Sequence, residues 1–142
     1  YWRDTLPAEV RLEKIVTGTY NFPGVYKITY RENGGEPQTL ADNLSTQKNY
    51  TLAASATALG LASNERVTEI MFVFGQVPGG FAQVEKPMIH CKAVSSIAAG
   101  SFVNKADVGG TYQGVWVQAV SRWVTTVYGK KPSVPKLPRT GY

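Results

Sequence analysis

Residues 25–30, Val-Tyr-Lys-Ile-Thr-Tyr, place Tyr26, Ile28 and Tyr30 on one face of an extended chain and Lys27 and Thr29 on the other. Asn33-Gly34 follows closely, a pair that tolerates the positive φ angles of a tight turn. A two-residue period closed by such a turn belongs to a half-buried strand. Further strands are expected over Glu9–Val16, Arg66–Phe74, Pro87–Val94, Ser101–Val108 and the long Val115–Tyr128. Most are rich in β-branched or aromatic residues and bounded by Gly, Pro or Asn. Ala53–Leu61 alone has some helical character, weakened by Gly60 and by its Thr and Ser residues, and it reads as a loop or irregular strand. In Val115–Tyr128, Trp116 and Trp123 fall on opposite faces under strict alternation, so burying both in one core predicts a bulge between them. Short strands, regular turns and almost no helix imply an all-β sandwich.

The chain's 142 residues fit one domain and a tail. The sandwich is expected over 1–128 and a Pro/Lys-rich linker over 129–142, since proline removes donors and restricts φ. The net charge of +5 does not point to nucleic acid. Lys130, Lys131, Lys136 and Arg139 are four of the 15 basic residues, and the remaining 11 nearly balance the 10 acidic ones. A nucleic-acid binder usually carries its basic stripe on the fold itself. No stretch of the sequence reaches the roughly 18 apolar residues of a membrane span. Cys91 has no cysteine to pair with and reads as a small buried apolar side chain; His90, the one histidine, is expected at a strand edge or facing solvent. Zinc-type ligand sets are therefore excluded, and no cofactor is expected. No nucleophile elbow, phosphate loop or carboxylate pair stands out, and Gly79-Gly80 and Gly109-Gly110 read as turns, so no enzymatic role is expected.

The tail carries Leu137-Pro138-Arg139-Thr140-Gly141 after a spacer rich in Pro and Lys. This string has the pattern Leu-Pro-X-Thr-Gly and resembles the sorting signal of sortase-anchored Gram-positive surface proteins. The resemblance implies cleavage between Thr140 and Gly141. A sortase cysteine attacks the Thr140 carbonyl, and an amine of a peptidoglycan precursor or another protein resolves the acyl-enzyme. Pro138 restricts the peptide before binding, Leu137 can fill an apolar pocket, and Gly141 leaves the thiolate a clear approach. In the family the signal continues into a hydrophobic span and a basic tail.

The body carries Asp4-Thr5-Leu6-Pro7, then Thr17-Gly18, then Phe74-Gly75-Gln76-Val77-Pro78-Gly79-Gly80-Phe81, then Phe102-Val103-Asn104-Lys105-Ala106-Asp107-Val108. Their order resembles repeat modules of unknown function in Gram-positive surface proteins. The resemblance implies an Ig-like or prealbumin-like sandwich in which the first string precedes a strand and Asn104–Val108 belongs to a late one. In that family one or two strands usually precede the first string. Here they are either lost or supplied by a neighbouring chain, which would leave a sheet edge open to strand addition. Some related sandwiches hold a Lys–Asn or Lys–Asp isopeptide bond assisted by a buried carboxylate. Lys14, with Asn104 or Asp107 and with Glu69 between, occupies those roles in the resemblance; the Asn version would lower the mass by about 17 Da. Asn43-Leu44-Ser45 and Asn49-Tyr50-Thr51 match the glycosylation acceptor pattern and read as loop residues.

Together these features lead us to expect an extracellular, cell-wall-anchored structural or adhesive module, with sortase and peptidoglycan as partners. The alternative is an adhesin domain binding host protein or glycan, through aromatics such as Tyr20, Phe22, Tyr112 and Trp116.

Overall fold

The computed structural model describes residues 1–93, 100–112 and 115–127. Among them, the elements run β1 (Trp2–Thr5), β2 (Val10–Val16), β3 (Thr19–Tyr20), β4 (Val25–Glu32), β5 (Gln38–Ser45), β6 (Thr51–Ala53), α1 (Ala56–Leu59), β7 (Val67–Val73), β8 (Gln83–Glu85), β9 (Met88–Ala93), β10 (Gly100–Tyr112) and β11 (Val115–Val127). Six strands form one antiparallel sheet in the order β11-β10-β1-β7-β4-β5; β6-β2-β9 form a second and β3-β8 a short ribbon. Tyr26, Ile28, Tyr30, Ile70 and Phe72 of the large sheet share one buried cluster with Val10, Leu12 and Ile15 of the small one. The expected all-β sandwich is present.

The alternation of β4 does what its sequence requires: Tyr26, Ile28 and Tyr30 are buried and Lys27 is exposed. Its turn carries two positive φ angles, 50° at Asn33 and 71° at Gly34. Asn33 also ties the turn to the start of β7, donating its N–H to the Arg66 carbonyl and accepting from the Arg66 N–H at its Oδ1.

Four expectations need correction. Ala56–Leu59 is a single helical turn, because Ser55 caps its start by accepting from the Ala58 N–H and Gly60 closes its end at φ 70°. The β10–β11 ladder runs through 13 pairs without a register shift, so there is no bulge between positions 116 and 123. Gly109 and Gly110 lie inside β10, opposite Gln118 and Val117, and form no turn. Cys91 is exposed, because β9 is an edge strand that leaves its flank uncovered. His90 lies half-buried on the same edge strand.

β1 is a strand that no pattern in the sequence announces. It sits at the centre of the large sheet, paired with Lys105–Val108 on one side and Glu69–Phe72 on the other. Residues 4–7 thus straddle its end and precede β2.

Between β2 and β3 the chain turns at Gly18, whose N–H donates to Asn49 Oδ1 at 2.9 Å. Its φ is +74°, and a Cβ there would stand 2.8 Å from the Pro87 nitrogen and press on the Glu85 carbonyl. Gly18→Ala should therefore cost about 3 kcal/mol in urea denaturation, combining backbone strain with a clash against main chain. Gly34→Ala, at φ +71° in open space, should show only the left-handed penalty of ~1–2 kcal/mol.

Candidate functional site

β1 has four residues and two faces. Trp2 and Asp4 stand in register with Phe72 and Ile70 and face the interior; Arg3 and Thr5 face outward. On the outer face the Arg3 guanidinium grips Asp107 of β10, with Nε 2.8 Å from Oδ1 and one terminal nitrogen 2.6 Å from Oδ2. The Asp107 side chain is fully buried there and also accepts from the Tyr1 hydroxyl at 3.1 Å. Arg3 lies over the Tyr1 ring, 5.2 Å from its centroid. On its other side Arg3 reaches Glu69 of β7 at 3.9 Å, and Glu69 receives Arg31 of β4 at 2.8 Å. Charges thus alternate across four neighbouring strands. The hydrogen bond to Asp107 raises the Arg3 pKa, so Arg3 stays charged.

On the inner face the surroundings are apolar. Asp4 is buried and its Oδ1 has no hydrogen-bond partner. Burial alone pushes its carboxyl up to about 7 from an ordinary value of 3.8. The Cys91 thiol, though exposed, is pushed up to about 11, first by the atoms packed around its base and then by Asp4 and Glu13. It is a thiol and not a thiolate at neutral pH.

Trp2 leads into an aromatic cluster. It meets Phe72 edge-on at 5.0 Å, and Phe74 lies 4.9 Å from Tyr20 and 5.2 Å from Phe81. Tyr20 and Phe81 stack at 5.4 Å with ring planes 5° apart. Trp2, Tyr20, Phe74 and Phe81 form the floor of a cleft of about 390 Å³ between the start of β1, the loop joining β7 to β8, and the Val108–Gly110 stretch of β10. The loop is shaped by its own residues. Phe81 N–H donates to the Pro78 carbonyl across a turn in which Gly80 takes φ 83°. Asn21 then clamps it: its side-chain amide donates to the Gly80 carbonyl and accepts from the Ala82 N–H, each at 2.8 Å. Gly109 and Gly110 keep the opposite wall free of side chains, and a Cβ at Gly110 would meet nothing within 4 Å. Val77 and Val108 form an exposed apolar rim, 43% and 42% accessible.

The residues singled out from sequence are scattered. Glu69 and Asp107 come together about Arg3. Lys14 lies on the other sheet, exposed, in register with Ala53 and His90. Asn104 is on β10, opposite position 123. The structure thus gives the carboxylates an arginine partner and does not bring Lys14 to them. Tyr20 belongs to the cleft; Phe22 lies beside Gly80 at its margin. Trp2, Phe74, Phe81 and Asn21 carry no site signal in the sequence beyond the Phe74–Phe81 string. Asn43, expected in a loop, is instead exposed within the edge strand β5 with φ 53°, and Asn49 supports Gly18. Leu137, Pro138, Arg139, Thr140 and Gly141 lie outside the described residues, as do the side chains of Asn104, Tyr112 and Trp116.

No group of three or more His, Cys, Asp or Glu is placed to hold a metal among the described residues, and no helix there is long and apolar enough to cross a membrane. No family model, curated protein or solved structure matches the chain.

Replacing Arg3 by Met should cost about 3 kcal/mol in denaturant unfolding, since it strips two bonds from a buried carboxylate. Arg31→Met, at the half-exposed end of the series, should cost no more than about 1 kcal/mol. Asp4 carries a pH signature. Its folded pKa is raised, so the native state holds a proton that the unfolded chain releases, and stability falls as pH rises from 3.8 to about 7. Unfolding curves of Asp4→Asn and the parent, measured across that window, should diverge in the variant's favour by a few kcal/mol as pH rises.

Proposed function

We propose that the chain is a structural and adhesive module of a bacterial cell surface, joined to the wall through its tail and holding more distal parts of the surface protein away from the cell. The observation that carries this reading is Leu137-Pro138-Arg139-Thr140-Gly141 after a Pro/Lys-rich spacer that follows a β-sandwich. Sortase is then the enzyme acting on the chain and peptidoglycan the acceptor. The protein is a substrate and performs no catalysis of its own.

Strand geometry supports a load-bearing role. β1 and β11 both pair antiparallel with β10 and so run in the same direction. β1 starts beside Gly109 of β10, whereas β11 ends opposite Gly100. Tension between the two ends of the chain therefore loads both ladders lengthwise, and their hydrogen bonds resist together instead of opening one at a time. A second reading, direct binding of host protein or glycan, is favoured by the aromatic floor and apolar rim of the cleft, since exposed apolar patches often mark contact sites.

Purified chain incubated with a sortase and an oligoglycine amine should lose Gly141 and Tyr142 and gain the amine, read by intact mass. Thr140→Ala should remain whole. An unmodified parent chain under conditions that process a control substrate would refute the anchoring role.

A further inference from the structure

We propose that the aromatic cleft is a docking groove for a polyproline segment, and that its occupant is residues 132–138 of a second copy of this chain, giving a head-to-tail contact.

The tail sequence supplies the ligand pattern. Pro132, Pro135 and Pro138 recur every third residue, as do Val134 and Leu137. A polyproline II helix has three residues per turn and rises about 3.1 Å per residue. In that conformation the prolines fall along one edge, Val134 and Leu137 along the next, and Ser133, Lys136 and Arg139 along the third. Two adjacent edges are apolar and the third is polar and basic. Such a prism has an apolar flank to bury and a charged one to keep in water.

The cleft has matching chemistry. Aromatic rings form its floor and two valines its rim, and no charged side chain lines it among the described residues. A polyproline II backbone makes no internal hydrogen bonds, so its carbonyls look for donors. The Trp2 indole N–H makes no hydrogen bond among the described residues, and the amides of Gln76 and Gln83 stand at the margin. Proline-rich peptides dock into aromatic-lined grooves of this kind because they are ordered beforehand and lose little entropy on binding. Asn21 holds the loop wall in place before any ligand arrives.

The chain's own tail cannot bring the start of the repeat, Pro132, to the cleft. It leaves β11 at Val127, opposite Gly100, whereas the cleft lies beside Gly109 and Gly110. Those nine residues of strand span about 30 Å. Pro132 is five residues past Val127, which gives at most about 18 Å. The repeat as a whole can therefore enter only the cleft of another copy. This contact is independent of the proposed sorting role, which is judged by cleavage and not by association.

The test is sedimentation equilibrium of the full chain, together with the Trp2 indole NMR signal assigned through Trp2→Phe. The chain should self-associate, a synthetic peptide of residues 129–142 should shift the Trp2 signal, and excess peptide should return the chain to monomer. Two variants, each shown to be folded by circular dichroism, should weaken association at least tenfold. One is Pro132→Ala/Pro135→Ala/Pro138→Ala, and the other is Val77→Lys on the exposed rim. A chain that remains monomeric with no peptide-induced shift overturns the proposal. So does an association that neither variant weakens, the behaviour expected of edge-to-edge strand pairing.

Discussion

The contact between Arg3 and Asp107 joins two halves of a sheet that are otherwise linked by very little. Among the described residues, β1 is the only strand between the β10–β11 hairpin and the β7-β4-β5 group, and it is four residues long. A strand that short makes few ladder bonds. The bidentate grip on Asp107, continued through Glu69 to Arg31, crosses four strands on one face. A buried ion pair often contributes little net stability compared with an apolar pair of the same shape. Its larger effect here is on register. Slipping β1 by one residue would turn Arg3 into the core and Trp2 out of it.

The same alternation places Asp4 inside, and that placement is a cost. No described group donates to its buried oxygen, so it stays in the core most easily as the neutral acid. Trp2, two residues away on the same face, packs edge-on against Phe72 and helps to offset that cost. β1 therefore has one strongly held face and one conditional face. As Asp4 ionises the inner attachment weakens, while on the outer face Arg3, its pKa raised by the hydrogen bond to Asp107, stays charged. Asp4 thus makes the seam between the two halves of the sheet sensitive to pH.

Much of the fold was legible because some strands carry their own pattern. β4 alternates strictly and is followed by Asn33-Gly34; β7 and β11 are rich in β-branched residues. β1 carries no such pattern, since Trp-Arg-Asp-Thr is chosen by the strands on either side and not by local propensity. β5, with Asp42 and Asn43 exposed, is a polar edge strand and lacks an apolar period. The signals for α1 were present at Ser55 and Gly60, but one turn between them gives too short a window for periodicity to register. The cleft was hidden for another reason. Trp2, Tyr20, Val108 and the Phe74–Phe81 loop come from four separate parts of the chain, and the fold brings them together. Gly109 and Gly110 were misread because two adjacent glycines usually mark a turn; here their value is the absence of side chains along a strand.

The long hairpin gives the module two unlike ends. At one end β1 begins and the cleft opens; at the other, β11 finishes and the tail departs. A tail docked in the cleft pulls first on the loop between β7 and β8. That loop is fastened by Asn21 and by the pairing of β3 with β8. The β3 strand is in turn fixed to β2 through Gly18, where main chain from residues 85–87 approaches too closely for any side chain. Load entering at the cleft thus passes into the small sheet, while load along β1 and β11 passes through the large one. The two paths meet in the shared core, which includes Tyr20, Tyr26 and Phe72. The close packing of those aromatic rings is therefore what lets the sandwich respond as one body to tension applied at its two ends.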